Sequence, residues 1–218
     1  MALTLFGQDV IKSISFDEGE ILRNIQELHC PDWFEIDPCY SVGRFYEDFG
    51  IPKPKHKFDI NPQISGVIEA NANRLPFENH SVNSIMFDPP FLATSGDVYN
   101  SSEGSNIITG RFSAFKSMNE LWLWYQECLI EFKRILKPDG ILVFKNQDTV
   151  SSAKQYFSHC HIMNLAVRSG MNPKDLFILL AKTRIIGGNN HEIQQHARKF
   201  HCYYWVFVNS KSKVNYEF

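Results

Sequence analysis

The sequence predicts one α/β domain, residues 1–218, with a mostly parallel sheet, and three observations carry that prediction. Short β-rich runs alternate with helix-periodic stretches along the chain, the pattern of strand–helix–strand units. Two runs, Ser84-Ile85-Met86-Phe87 and Ile141-Leu142-Val143-Phe144, are apolar strings of the buried-strand type. A length of 218 residues with 44% hydrophobic and 21% charged side chains fits one such domain and leaves too little for a second sizeable one.

The elements follow in order. Residues 1–32 read as a helical lead-in: Asp17-Glu18-Gly19-Glu20 starts a capped helix, and Ile21, Leu22, Ile25 and Leu28 keep helical spacing. Trp33 to Asp37 is the first strand. The link 44–54 carries Pro52 and Pro54 and leaves room for at most a short helix. The next two strands, one ending near Ile60 and one starting near Gly66, lie only about five residues apart, whereas a parallel crossover needs about a dozen. This half of the sheet is expected to be abbreviated. Residues 92–117, with Gly96, Gly104 and Gly110 among many Ser and Asn, form a long loop, either functional or disordered.

Helix 118–136 has the strongest pattern. Ser117 and Glu120 make a capping box, and Leu121, Tyr125, Cys128, Leu129, Phe132 and Leu136 make an apolar stripe that the Lys137–Gly140 turn stops. Ile141–Lys145 is a strand, 152–169 a helix ending at Gly170, Asp175–Ala181 a strand, and Tyr203–Val208 the last strand. Trp122, Trp124 and Trp205 fall on these patterns as core residues.

Asp88-Pro89-Pro90-Phe91 closes the Ser84–Phe87 run. Two prolines fix φ and supply no N–H, so Asp88 is held extended at the strand's carboxyl end. That geometry can set the Asp88 carboxylate beside the Pro89 carbonyl, two acceptors that match the two N–H donors of a nucleobase amine, with Phe91 stacking on the base. The alternative is a carboxylate capping the next turn.

Asp-Pro-Pro-Phe after a hydrophobic strand resembles the catalytic motif of the class I S-adenosylmethionine-dependent amino-methyltransferases, which methylate adenine N6, cytosine N4 or guanine N2. Phe34 to Gly43 is similar to the family's cofactor motif, a strand running into Asp-Pro-Phe-x-Gly-x-Gly, and Ile135 to Phe144 matches its helix, Lys-Pro-x-Gly turn and fifth strand. The likeness covers residues 33–148, with a final strand at 202–208. It implies a Rossmann-like sheet with an antiparallel last strand, and S-adenosyl-L-methionine as cofactor. It implies Asp88, Pro89, Pro90 and Phe91 as catalytic, and Asp37, Cys39, Tyr40, Gly43, Asp59 and Asn71 as cofactor-binding. Gly43 then admits the methionine portion, or is an ordinary turn glycine; Asp59 accepts the ribose hydroxyls, or makes an Asx-turn before Pro62. Asn71 contacts the cofactor's adenine. Ser41 stands where the family has glycine and Asn71 where it has aspartate. Within the family an Asp in first place favours adenine over cytosine, and Phe91 in place of Tyr is also familiar from RNA guanine-N2 enzymes. The expected target is adenine N6 in DNA, with RNA bases as the alternative.

Charge is uneven beneath a net −2. Residues 1–50 hold ten acids against Lys12, Arg23 and Arg44, while 182–213 hold six basic residues against Glu192 alone. The basic end suits a polyanion or is a solvated face. Arg198 and Lys199 there, with Tyr99, Arg111 and Lys116 in the long loop, are the candidate substrate contacts, for phosphates or the neighbours of a flipped base. DNA is favoured over RNA as partner. The chain has no room for a target-recognition domain, so sequence preference is short or depends on a specificity partner or a homodimer.

Five scattered cysteines without a Cys-x-x-Cys pair argue for reduced thiols and a cytoplasmic location. No apolar run reaches the roughly 20 residues of a membrane span. His159, Cys160, His161, His191, His196 and His201 match no zinc spacing, so no metal is expected. The rival from another class is a non-catalytic nucleic-acid-binding protein that keeps this fold.

Overall fold

Continuous apolar runs form strands here because both faces of the central sheet are covered. The computed structural model describes residues 4–5, 8–93, 115–151, 154–183 and 196–210. Its first half comprises β1 (Thr4–Leu5), β2 (Gln8–Asp9), β3 (Ile14–Ser15), α1 (Glu18–His29), β4 (Ile36–Asp37), α2 (Arg44–Glu47), β5 (His56–Asp59), β6 (Ile68–Glu69) and β7 (Val82–Phe87). Its second half comprises α3 (Met118–Ile135), β8 (Leu136–Asn146), β9 (Thr149–Ser151), β10 (Lys154–Tyr156), α4 (Ser158–Arg168), β11 (Asn172–Leu180) and β12 (His201–Val208).

Eight strands make one sheet in the order β3-β11-β12-β8-β7-β4-β5-β6. β12 runs antiparallel between β11 and β8, and the other pairings are parallel. This is the mostly parallel, Rossmann-like sheet with an antiparallel last strand. Ile85 and Phe87 of β7, Leu142 and Phe144 of β8 and Phe207 of β12 face α3 and α4. Met86, Ile141, Val143, Tyr204 and Val206 face α1 with its Ile21, Leu22 and Ile25. Alternation within each strand thus feeds two cores, and this is why no polar face interrupts the runs.

The chain reverses its winding between β4 and β7: β5 and β6 extend the sheet one way, and β8 and β12 the other. In open α/β sheets such a switch point leaves a crevice at the strands' carboxyl ends, where ligands bind. The half beside it is abbreviated as expected. α2 has four residues, and β5 and β6 are joined through residues 60–67 without a helix.

Several boundaries differ from the sequence reading. The lead-in is not only helical, since β3 joins the sheet beside β11. Trp33 takes a left-handed φ of 68°, which confines the first strand to Ile36–Asp37. β8 starts at Leu136, and the Lys137–Gly140 turn is a bulge within it: its register on β7 jumps from Val82↔Leu136 to Ser84↔Ile141. The helix expected over 152–169 begins at Ser158, because β9 and β10 pair as a hairpin first. Leu28 faces solvent. The Ser117 hydroxyl accepts from the Glu120 N–H, but Glu120 reaches back to the Lys116 N–H, one residue short of a reciprocal box. Among the described residues no helix is long and apolar enough to cross a membrane.

Candidate active site

Three carboxylates stand at the carboxyl ends of β4, β5 and β7, around the switch point. Asp37 is almost fully buried, and its own turn uses both of its oxygens: the Cys39 N–H donates to Oδ1 at 2.8 Å and the Tyr46 hydroxyl to Oδ2 at 2.7 Å. Burial pushes its carboxyl up to about 7 against those two hydrogen bonds, and Asp88 and Asp59 add like charge. Asp59 accepts from Asn61 N–H and Ser41 N–H, both at 2.9 Å. The Asx-turn reading of Asp59 is therefore realised, and the same carboxylate stitches the two turns together.

Gly43 has φ 75°, and a Cβ there would lie 2.5 Å from the Tyr40 hydroxyl. Tyr40 stacks on Tyr46 with ring centres 5.4 Å apart. The space expected to admit a ligand beside Gly43 is taken by the chain's own Tyr40. Cys39, half-buried behind this turn, has its thiol pushed up by burial and by the acids around it, and so stays neutral.

β7 and β8 run in register, Phe87 opposite Phe144, which brings Asp88 beside Lys145. The Lys145 ammonium lies 3.1 Å from Asp88 Oδ2 and 2.7 Å from Glu18 Oε1, with 13% of its side chain exposed. The Tyr204 hydroxyl donates to Glu18, and Phe45 and Tyr204 present ring faces to the ammonium. Burial pulls Lys145 down, but Asp88 and Glu18 more than reverse this and hold it charged. Burial raises Asp88; Lys145 opposes the rise and Glu18 adds to it. The sequence reading missed Lys145 and Glu18. The available signal was the paired endings Met86-Phe87-Asp88 and Val143-Phe144-Lys145, two adjacent buried strands ending in opposite charges.

Pro89 and Pro90 are buried and Phe91 is half-exposed. The Tyr125 hydroxyl donates to the Pro90 carbonyl, so a residue of the α3 core stripe also ties down the loop. Asn71 receives the Trp124 indole N–H at 3.1 Å on Oδ1, leaving its NH₂ group as the one able to meet a ligand. Trp124 is accordingly more than core filling: it joins Asn71 to Phe115 and Phe87. Lys116 and Arg198 are exposed and Lys199 is half-buried. Tyr99 and Arg111 lie outside the described residues.

His159 and His161 go to other uses, and His191 lies outside the described residues. His159 Nδ1 lies 2.8 Å from Asp148 Oδ1 and its ring stacks on Tyr203, while His161 stacks on Trp122. Among the described residues no three His, Cys, Asp or Glu converge as a metal site. A cleft of about 170 Å³ lined by Cys30, Asn83, Ser84 and Lys137 opens at the opposite, amino-terminal end of β7, away from the three acids.

No family model matches the chain, and no curated protein does. Among solved structures, a Thermus thermophilus protein assigned as a DNA modification methylase, complexed with S-adenosyl-L-methionine, is 16% identical, with 65% of this chain and 53% of that one covered and a TM-score of 0.44. PvuII DNA methyltransferase (cytosine-N4-specific) is 13% identical over 62% of this chain and 45% of its own, with a TM-score of 0.46. A chain of the Haloferax volcanii complex between the Trm112 methyltransferase activator and a methyltransferase is 12% identical over 90% and 96%, with a TM-score of 0.49. The matched part spans about half the length of the two DNA methylases.

Proposed function

We propose that the chain is an S-adenosyl-L-methionine-dependent methyltransferase acting on an exocyclic amino group of a nucleobase, adenine N6 in DNA being the favoured target. One observation carries the reading: the rigid Asp88-Pro89-Pro90-Phe91 loop ends β7 at the switch-point crevice, beside Asp37 and Asp59 at the ends of β4 and β5. Such a cluster of carboxylates suits a cationic ligand, and the sulfonium cofactor is one.

The cofactor fits the residues present in a modified way. Asp59 would accept the ribose hydroxyls on the lone pairs its turn leaves open, and the Asn71 NH₂ group would meet the adenine. Asp37, Cys39, Tyr40 and Gly43 shape the wall around the methionine portion: Asp37 fixes the turn through Tyr46 and the Cys39 N–H, and Tyr40 fills the notch over Gly43. When bound, the cofactor supplies an electrophilic methyl group.

The protein's own part is to make a poor nucleophile better. An aromatic amine delocalises its lone pair into the ring. Asp88 and the Pro89 carbonyl would accept its two N–H bonds, favour a pyramidal nitrogen and aim the lone pair along the methyl's approach. Phe91 would stack on the base. Lys116, Arg198 and Lys199 would neutralise phosphates, with Tyr99 and Arg111 proposed as further contacts. The whole chain is taken as one catalytic domain, with 92–117 as its substrate loop, used with a specificity partner or as a homodimer.

Isothermal titration with S-adenosyl-L-methionine, followed by transfer of a labelled methyl group to unmethylated DNA and, in parallel, to total RNA, tests this. Saturable binding and label in N6-methyladenine are expected. Label in RNA alone would move the target, and no binding at millimolar cofactor would favour the non-catalytic nucleic-acid-binding rival.

A further inference from the structure

The Asp88 carboxylate does not stand alone at the crevice. It shares one ammonium with a second carboxylate from an element far away in sequence, Glu18 at the first position of α1. Strand alternation forces the arrangement. Asp88 follows Met86 by two residues and Lys145 follows Val143 by two, so both side chains fall on the sheet face that α1 covers. The ammonium has three N–H donors; one meets Asp88 and one meets Glu18.

The groups around Asp88 come from every element packed there. They are Lys145 on β8, Glu18 on α1, Asp37 and Cys39 at the end of β4, Tyr46 on α2, Tyr125 on α3 and Tyr204 on β12. Burial pushes the three tyrosines and Cys39 up, so none of these four carries charge at neutral pH. Of the described groups named, Lys145 alone is a cation, set against three acids.

We infer that Lys145 is a positioning residue for Asp88: it turns Oδ2 away from the substrate and keeps the carboxylate ionised, while Glu18 draws part of that charge off and limits the effect. The inference rests on reading Asp88 as the acceptor of a substrate amine. An acceptor must be ionised to offer lone pairs without a competing proton, and a half-buried carboxylate with Asp37 and Glu18 nearby holds its proton more tightly without that cation. An unshared Lys145 would clamp Asp88 too tightly for it to turn to an amine. The two neighbours therefore act on Asp88 with opposite signs.

The test follows the Asp88 side-chain carboxyl directly, by ¹³C NMR of the full chain labelled at aspartate Cγ, with Asp88→Asn identifying the resonance. In Lys145→Gln the Asp88 titration midpoint is expected to rise by about 1–3 pH units, the size of the effect of one close opposite charge. In Glu18→Gln it is expected to fall below that of the unaltered protein. An unmoved midpoint in folded Lys145→Gln, or an unmoved or raised one in Glu18→Gln, overturns the inference. If Lys145→Gln does not fold, the sign in Glu18→Gln decides alone. Methyl transfer to unmethylated DNA, measured against pH on the same proteins, should show its acid limb moving in the same two directions. NMR midpoints that move as stated in a protein that transfers methyl to neither DNA nor RNA would refute the methyltransferase reading while leaving the charge unit intact.

Discussion

Gly43→Ala separates two explanations of one glycine. If Gly43 exists to admit a ligand, the change should weaken cofactor binding and leave the free protein's stability alone. The structure gives the other answer. An alanine at φ 75° costs about 1–2 kcal/mol in the left-handed region. Its methyl carbon would also lie 2.5 Å from the Tyr40 hydroxyl and drive that ring off Tyr46. Such a stack is worth about 0.5–1.5 kcal/mol. The expected loss is about 2–3 kcal/mol, or about 4–12 °C in Tm for a chain of this size. Thermal unfolding followed by circular dichroism, without cofactor, measures it. In a Tyr40→Ala background the ring is absent, and the same glycine change should cost only its backbone part, about 1–2 kcal/mol. Equal costs in the two backgrounds, or an unchanged Tm in the single variant, would refute the reasoning.

Four further outcomes follow from the geometry. Asp37 titrates near 7 when folded and near 3.9 when unfolded, so the unfolded state holds fewer protons between those values and this group's stabilisation falls as pH rises. Urea denaturation should show Asp37 contributing a loss of about 2–3 kcal/mol from pH 5 to pH 7 that Asp37→Asn lacks; identical pH slopes for the two proteins would contradict it. Asp88→Ala should abolish methyl transfer and leave cofactor affinity within about a few-fold, and near-normal turnover would remove Asp88 from catalysis. Tyr125→Phe strips the Pro90 carbonyl of its donor and should cost about 1–3 kcal/mol, with turnover falling more than cofactor affinity; calorimetry and single-turnover kinetics check both. Replacing Arg198 and Lys199 with Ala should flatten the log–log salt dependence of DNA binding by about two, and an unchanged slope would put the DNA on another face.

The mostly parallel sheet was legible because the buried runs and the Asp-Pro-Pro-Phe stop are local signals, and its antiparallel last strand because of the family resemblance. The order of the strands, set by pairing between distant segments, was not. The abbreviated cofactor half was legible from a local signal too, since five residues cannot carry a crossover helix. Harder to see was anything set by contact between distant segments. Trp33 reads as strand until its indole is found donating to the Pro52 carbonyl, and the β9–β10 hairpin is too short to stand out from a helix-like stretch. In the site, Asp37, Asp59 and Asp88 could be named from their positions at strand ends. Their working partners could not: Tyr46 and Cys39 consume Asp37, and Lys145 and Glu18 meet Asp88 only because β8 and α1 pack against β7. A tyrosine on an apolar helix stripe is indistinguishable in sequence from one whose hydroxyl holds a loop, as Tyr125 does.

The placement of β3 bears on how this sheet avoids its own kind. β11 offers nine residues of backbone, and an uncovered strand of that length invites pairing with another molecule. β3 lies along it, Ile14 opposite Ile178, with the Ile178 N–H donating to the Ser13 carbonyl at 2.7 Å. The far edge is blunted differently, since β6 is two residues long. The cover on β11 comes from a segment made some 160 residues earlier in synthesis, which must wait for the strand it protects. Lifting residues 13–15 would expose the donors and acceptors of Ile178 and Leu179 that they pair with, beside Ile14 and Phe16, two apolar side chains already in water. The same few residues that finish the sheet therefore also guard it against stacking edge to edge into aggregates.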